Sequence, residues 1–187
     1  MLNFLPPVSL PAPGADARRR AAVGSVMLLA FLLGAPAVRA AEGQGCSGGA
    51  WPLDAARAAL DAAHTEVPSG AGLPAAEGSF VVQLVPLPDA KLPYPPARLP
   101  AETANFAGFL LLPAPATAGR IEVSLSDAGW IDLVQDGKSL PAAAFTGVKG
   151  CPGLRKSVRF EVTQRPLVLQ VTGVSVDRLK VAVAPAP

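Results

Sequence analysis

Two stretches of this chain carry the residue types that could hold a ligand. Gly129-Trp130-Ile131-Asp132 places an indole and a carboxylate two residues apart, on one face of any β-strand. An exposed tryptophan stacks on a sugar ring or an aromatic ligand, whereas in a β-sandwich interior it is core, which is the expectation for Trp130. Cys151-Pro152-Gly153-Leu154-Arg155-Lys156-Ser157-Val158-Arg159-Phe160 carries the densest positive charge. Arg155, Lys156 and Arg159 suit an anionic ligand through charge-assisted hydrogen bonds. If a strand starts near Ser157, Arg159 faces away from Val158 and Phe160, and solvation alone accounts for it. Trp130, Asp132, Arg155, Lys156 and Arg159 are therefore the candidate ligand-binding residues, none of them in a catalytic role.

Other chemistry finds little support. The one histidine, His64, lies beside Asp61 and Glu66 near the end of a helical stretch, a placement the helix dipole favours. A zinc or iron site usually takes two or more histidines, or histidine with a carboxylate cluster, so no metal and no cofactor is expected. No nucleophile-elbow sequence supports serine catalysis. Tyr94-Pro95-Pro96 is a recognition segment or a set of prolines stiffening a long connection.

Arg18-Arg19-Arg20 precede an apolar run from Ala21 to Leu33, broken by Gly34-Ala35-Pro36, and Val38-Arg39-Ala40 then supplies small residues where a signal peptidase reads. This order predicts a signal peptide over 1–40 and a periplasmic or secreted product, with no stable membrane span after cleavage. Arg18, Arg19, Arg20, Arg39 and Asp16 leave with the leader, so the net charge of +2 becomes −1, with 12 Lys and Arg against 13 Asp and Glu. A mature domain of that balance has no footprint for nucleic acid. In an oxidising compartment Cys46 and Cys151 are expected to form a disulfide, two free thiols being the alternative.

The elements that must position these residues are mostly strands. Residues 41–78 read as a flexible lead-in, a short helix from about Asp54 to His64 and a Pro/Gly-rich linker. Asp54 is the expected N-cap, with Leu53, Ala56, Leu60 and Ala63 on one side. From Ser79 the period changes to two: Phe80-Val82-Leu84, Ile121-Val123-Leu125, Val158-Phe160-Val162, Leu167-Leu169-Val171 and Leu179-Val181-Val183 alternate with other residues. Phe106–Leu112, Trp130–Gln135 and a short strand at Phe145 complete about eight strands, with a tight turn at Asp136-Gly137. The expected fold is all-β, a single β-sandwich or jelly-roll-like domain over 79–187. Trp130, Asp132 and Val134 share one face of their strand, and the proline-rich excursion 86–103 is the expected cover. Asp132 then needs a partner from Arg98, Arg155, Lys156 or loop amides.

Phe106-Ala107-Gly108-Phe109, Gly129-Trp130-Ile131-Asp132, Gln135-Asp136-Gly137-Lys138 and the Cys151–Phe160 block, in that order, resemble a family of short exported bacterial proteins that often carry the automated name homogentisate 1,2-dioxygenase. The resemblance covers about 80–183. The name implies a ring-cleaving enzyme that holds iron with histidines and a glutamate. The Gly119-to-Gln135 pattern also resembles, at the level of fold, small β-sandwich accessory domains beside secreted peptidases and carbohydrate-active enzymes. From the residues themselves the expected function is a binding or structural role in the cell envelope, with an envelope protein or a glycan as partner. A dioxygenase and a carbohydrate-binding accessory module are the alternatives.

Overall fold

The computed structural model describes residues 41–98 and 106–187. The predicted signal peptide lies outside the described residues, as does the far end of the proline-rich excursion. Among the described residues twelve strands form two sheets. In chain order they are β1 (Ala41–Gln44), β2 (Glu66–Pro68), β3 (Gly78–Gln83), β4 (Val85–Pro86), β5 (Phe106–Leu112), β6 (Gly119–Leu125), β7 (Trp130–Gln135), β8 (Lys138–Ser139), β9 (Ala142–Lys149), β10 (Lys156–Val162), β11 (Leu167–Val174) and β12 (Arg178–Pro185). One sheet runs β1-β9-β10-β6-β12-β3-β2 and the other β4-β5-β11-β7-β8. The all-β sandwich expected from the two-residue period is the fold.

The alternation places the core. Val123 and Leu125 of β6, Val158 and Phe160 of β10, and Val181 and Val183 of β12 point inward from the larger sheet. They meet Leu110 and Leu112 of β5, Ile131 and Leu133 of β7, and Leu167, Leu169 and Val171 of β11. The other residues of these strands face outward, and on both sheets part of that outer face is covered.

On the larger sheet the cover is helix α1 (Asp54–Asp61), whose Leu60, with the preceding Leu53, packs against Val148, Cys151, Leu154 and Ala182. The predicted apolar stripe is thus used as expected. The N-cap is Leu53 rather than Asp54, which instead places its carboxylate in the first turn, where the dipole favours it. The helix ends at Asp61 and leaves His64 exposed beyond it.

The lead-in and linker are structured parts of the sandwich, contrary to expectation. β1 pairs in parallel with β9, and β2 in parallel with β3. Too short to show a period, these edge strands are specified by the partner they pair with. Residues beyond β2 continue onto the other sheet: the Gly70 amide donates to the Phe109 carbonyl, Leu73 to Leu111, and Leu111 back to Ala71. Gly108 permits this approach, since a Cβ there would lie 2.8 Å from Leu84 Cδ2 and 3.0 Å from Ser69 Oγ. The Cys46–Cys151 disulfide forms and fastens β1 to the loop before β10. At Asp136-Gly137 both residues have positive φ, 52° and 75°, the two-residue turn that joins β7 to β8.

Candidate functional site

The outer face of the smaller sheet carries three buried polar side chains, Asp132, Gln170 and Thr172, and the covering arm reaches the first two. Asp132 on β7 and Gln170 on β11 are direct cross-strand partners, 5% and 0% exposed. The described part of the excursion crosses this face and satisfies both. Gln170 Oε1 accepts from the Tyr94 amide at 3.0 Å, and its Nε2 donates to the Tyr94 carbonyl at 3.2 Å. Asp132 Oδ2 accepts from the Ala97 amide at 3.1 Å. The excursion is therefore the cover the alternation requires, and a loop amide is one partner the carboxylate finds. Prolines suit such an arm because they fix φ and remove donors that burial would strand.

The second carboxylate oxygen, Oδ1, accepts the indole N–H of Trp130 at 2.8 Å. Trp130 is half-buried, so it is neither the core residue expected nor an open platform. Its ring meets two cations: Lys156 Nζ lies 5.0 Å from the ring centroid and the Arg98 guanidinium 5.5 Å. Both distances fall within cation–π range. Lys156 also donates to the Gly129 carbonyl at 3.0 Å.

Inner-face parity puts Lys156 at the open end of the sandwich, two residues before Val158 on β10. Arg155 ends the loop before β10 and donates from Nη1 to the Val148 carbonyl at 2.9 Å. A cavity of about 370 Å³ opens here, lined by Arg98, Gly129, Trp130, Phe145, Arg155 and Lys156 among others. An apolar recess of about 140 Å³, walled by Ile131, Ala142 and Val158, shares Trp130, Phe145 and Lys156 with it. Burial pulls the Lys156 ammonium below its ordinary pKa, and Arg98 and Arg155 push the same way, while Asp132 opposes them.

Four of the five candidate residues thus converge: Trp130, Asp132, Arg155 and Lys156. Arg159 does not join them. It sits on the opposite side of β10, where it pairs with Glu122 at 2.8 Å and lies over the Trp51 ring at 4.2 Å. It is not simply solvated either, since Trp51 covers it. Arg98 joins the site from the covering arm and Phe145 from β9. The arm shows no periodic pattern that ties it to β7, so spacing alone could not place Arg98 beside Trp130. Gln170 did leave a signal, as the lone amide in Leu167-Val168-Leu169-Gln170-Val171.

The iron implied by the dioxygenase resemblance finds no fitting ligands here. His64 is exposed, and among the described residues no three His, Cys, Asp or Glu side chains gather to hold a metal. No helix of the described residues is long and apolar enough to cross a membrane, and the disulfide is compatible with an oxidising compartment. No family model matches this chain, and no curated protein or solved structure matches it.

Proposed function

We propose that this is an exported, periplasmic or secreted, β-sandwich protein that binds a ligand of the cell envelope at the Trp130 end of the sandwich. The observation that carries this reading is the convergence of Trp130, Lys156, Arg155 and Arg98 on one cavity, walled partly by apolar side chains. A concave site with an apolar wall and a few directed polar groups is the usual form of a small-ligand site. Export rests on the basic, apolar and small-residue order of 18–40 and on the disulfide.

Thermal-shift screening of the purified protein against envelope glycans and their charged building blocks tests the reading. Ala128 lines the cavity and is exposed, so Ala128→Trp obstructs the mouth without disturbing the core. A ligand that raises Tm in the wild type and not in Ala128→Trp is expected. Shifts that persist unchanged in that variant would place binding elsewhere and end this reading.

A further inference from the structure

We infer that the Trp130 cavity is a seat for an oxyanion, a carboxylate or phosphate carried on a compact body with an apolar face. This rests on the binding reading above and narrows it to a ligand class.

Four arginines outside the cavity are paired with carboxylates. Arg120 meets Glu161 at 2.6 Å, Arg159 meets Glu122 at 2.8 Å, Arg165 meets Asp136 at 2.6 Å and Arg178 meets Glu66 at 3.0 Å. Arg98 and Lys156 are not so paired, although both line the same cavity. Among the described residues neither has a carboxylate within ion-pair distance; Arg98 rests on the Trp130 ring and Lys156 on that ring and the Gly129 carbonyl. The nearby acid, Asp132, has one oxygen on Trp130 and the other on Ala97. It holds the indole and the arm in place and does not neutralise the cations by direct contact.

Bringing like charges together in a half-buried cavity is unfavourable, and an anion placed between them offsets that repulsion. A neutral sugar stacked on Trp130 would instead compete with both cations for the ring. The guanidinium matches the two oxygens of a carboxylate or phosphate, and the ammonium adds a point charge beside them. The recess walled by Ile131, Ala142, Phe145 and Val158 receives the apolar face of the body that bears the anion.

Isothermal titration with glucuronate, benzoate and inorganic phosphate, beside neutral glucose and benzamide, tests the inference. The anions are expected to bind, more weakly as salt rises. Arg98→Gln and Lys156→Gln are each expected to weaken them about tenfold or more, the usual worth of a charge-assisted contact. Arg98 is exposed, so its variant is expected to fold as the wild type does. The order of glucuronate, benzoate and phosphate tells a sugar-borne, aromatic or free oxyanion apart. Glucose or benzamide binding as tightly as its charged counterpart, with loss in Ala128→Trp, would overturn the oxyanion and leave the binding site standing. Anion binding untouched by both charge variants, or no binding by any anion, would also overturn it.

Discussion

Asp132 and Gln170 face each other across β7 and β11, and each holds a different point of the same proline-rich arm. The pair converts an exposed sheet face into a covered one, and the arm delivers Arg98 to the Trp130 ring. Gln170 is satisfied by the backbone of the arm, and Asp132 by the Ala97 amide and the Trp130 indole, so removing either side chain frees the arm and strands amides or carbonyls.

Gln170→Leu is therefore expected to cost about 1–3 kcal/mol, the penalty for unsatisfied buried groups. Amide exchange should accelerate at Tyr94 and Ala97 well before it does in β10 or β12. A variant with wild-type protection at Tyr94 would show that the arm is held by something other than Gln170.

Arg159 belongs to a different structure, the ladder on the outer face of β6 and β10. There Glu122 opposes Arg159, Ser124 opposes Ser157 and Arg120 opposes Glu161. Arg159→Met leaves Glu122 with little exposure and without its partner, and is expected to cost about 3 kcal/mol. Arg159→Met combined with Glu122→Leu should recover most of that loss, because a buried pair contributes little net stability beyond its replacement by apolar groups. Ligand affinity should not change in either variant. Urea melts and titrations of the two variants check both halves of the prediction.

Much of this was legible in the sequence because the period is strong where both faces matter. Val158, Phe160 and Val162, or Leu167, Leu169 and Val171, fix their strands and their inward faces by alternation alone. β1 and β2 were not legible: with four and three residues they carry no period, and their pairing is decided by β9 and β3. The site divides in the same way. Trp130 with Asp132, and Arg155 with Lys156, could be read as local pairs. Their convergence depends on a β7–β10 approach at the sandwich end, and Arg98 on where a proline-rich arm lies, neither of which local spacing encodes.

The disulfide closes a long stretch of chain, Cys46 and Cys151 being 105 positions apart in sequence. The chain-entropy treatment gives such a loop about 4–5 kcal/mol of stabilisation. Cys46→Ala with Cys151→Ala is expected to lose up to about that amount. Exchange should rise first in β1 and in the loop carrying Arg155. Equal loosening throughout the sandwich would show that the bridge does not act locally on that loop.

Lys156 gives the protein a dependence on alkaline pH. Its folded pKa is lowered by burial and by Arg98 and Arg155, against the opposing Asp132, from the ordinary 10.5. Between the folded value and 10.5 the unfolded chain binds more protons, so stability of the unliganded protein rises with pH across that window. Below it, the charged lysine costs stability. Anion affinity runs the other way and falls as Lys156 loses its proton. Lys156→Met should remove the rise in stability and flatten that part of the binding profile. An unchanged profile in Lys156→Met would assign the titration to another group.

The chain has two tryptophans, Trp130 at the cavity and Trp51 over Arg159, so their indole N–H resonances report on two different places. Titrating isotope-labelled protein with glucuronate and following both signals tests the assignment of the site most directly. The Trp130 indole, whose N–H rests on Asp132, should shift progressively and saturate while Trp51 stays fixed. A saturating shift at Trp51 with Trp130 unmoved would contradict the account.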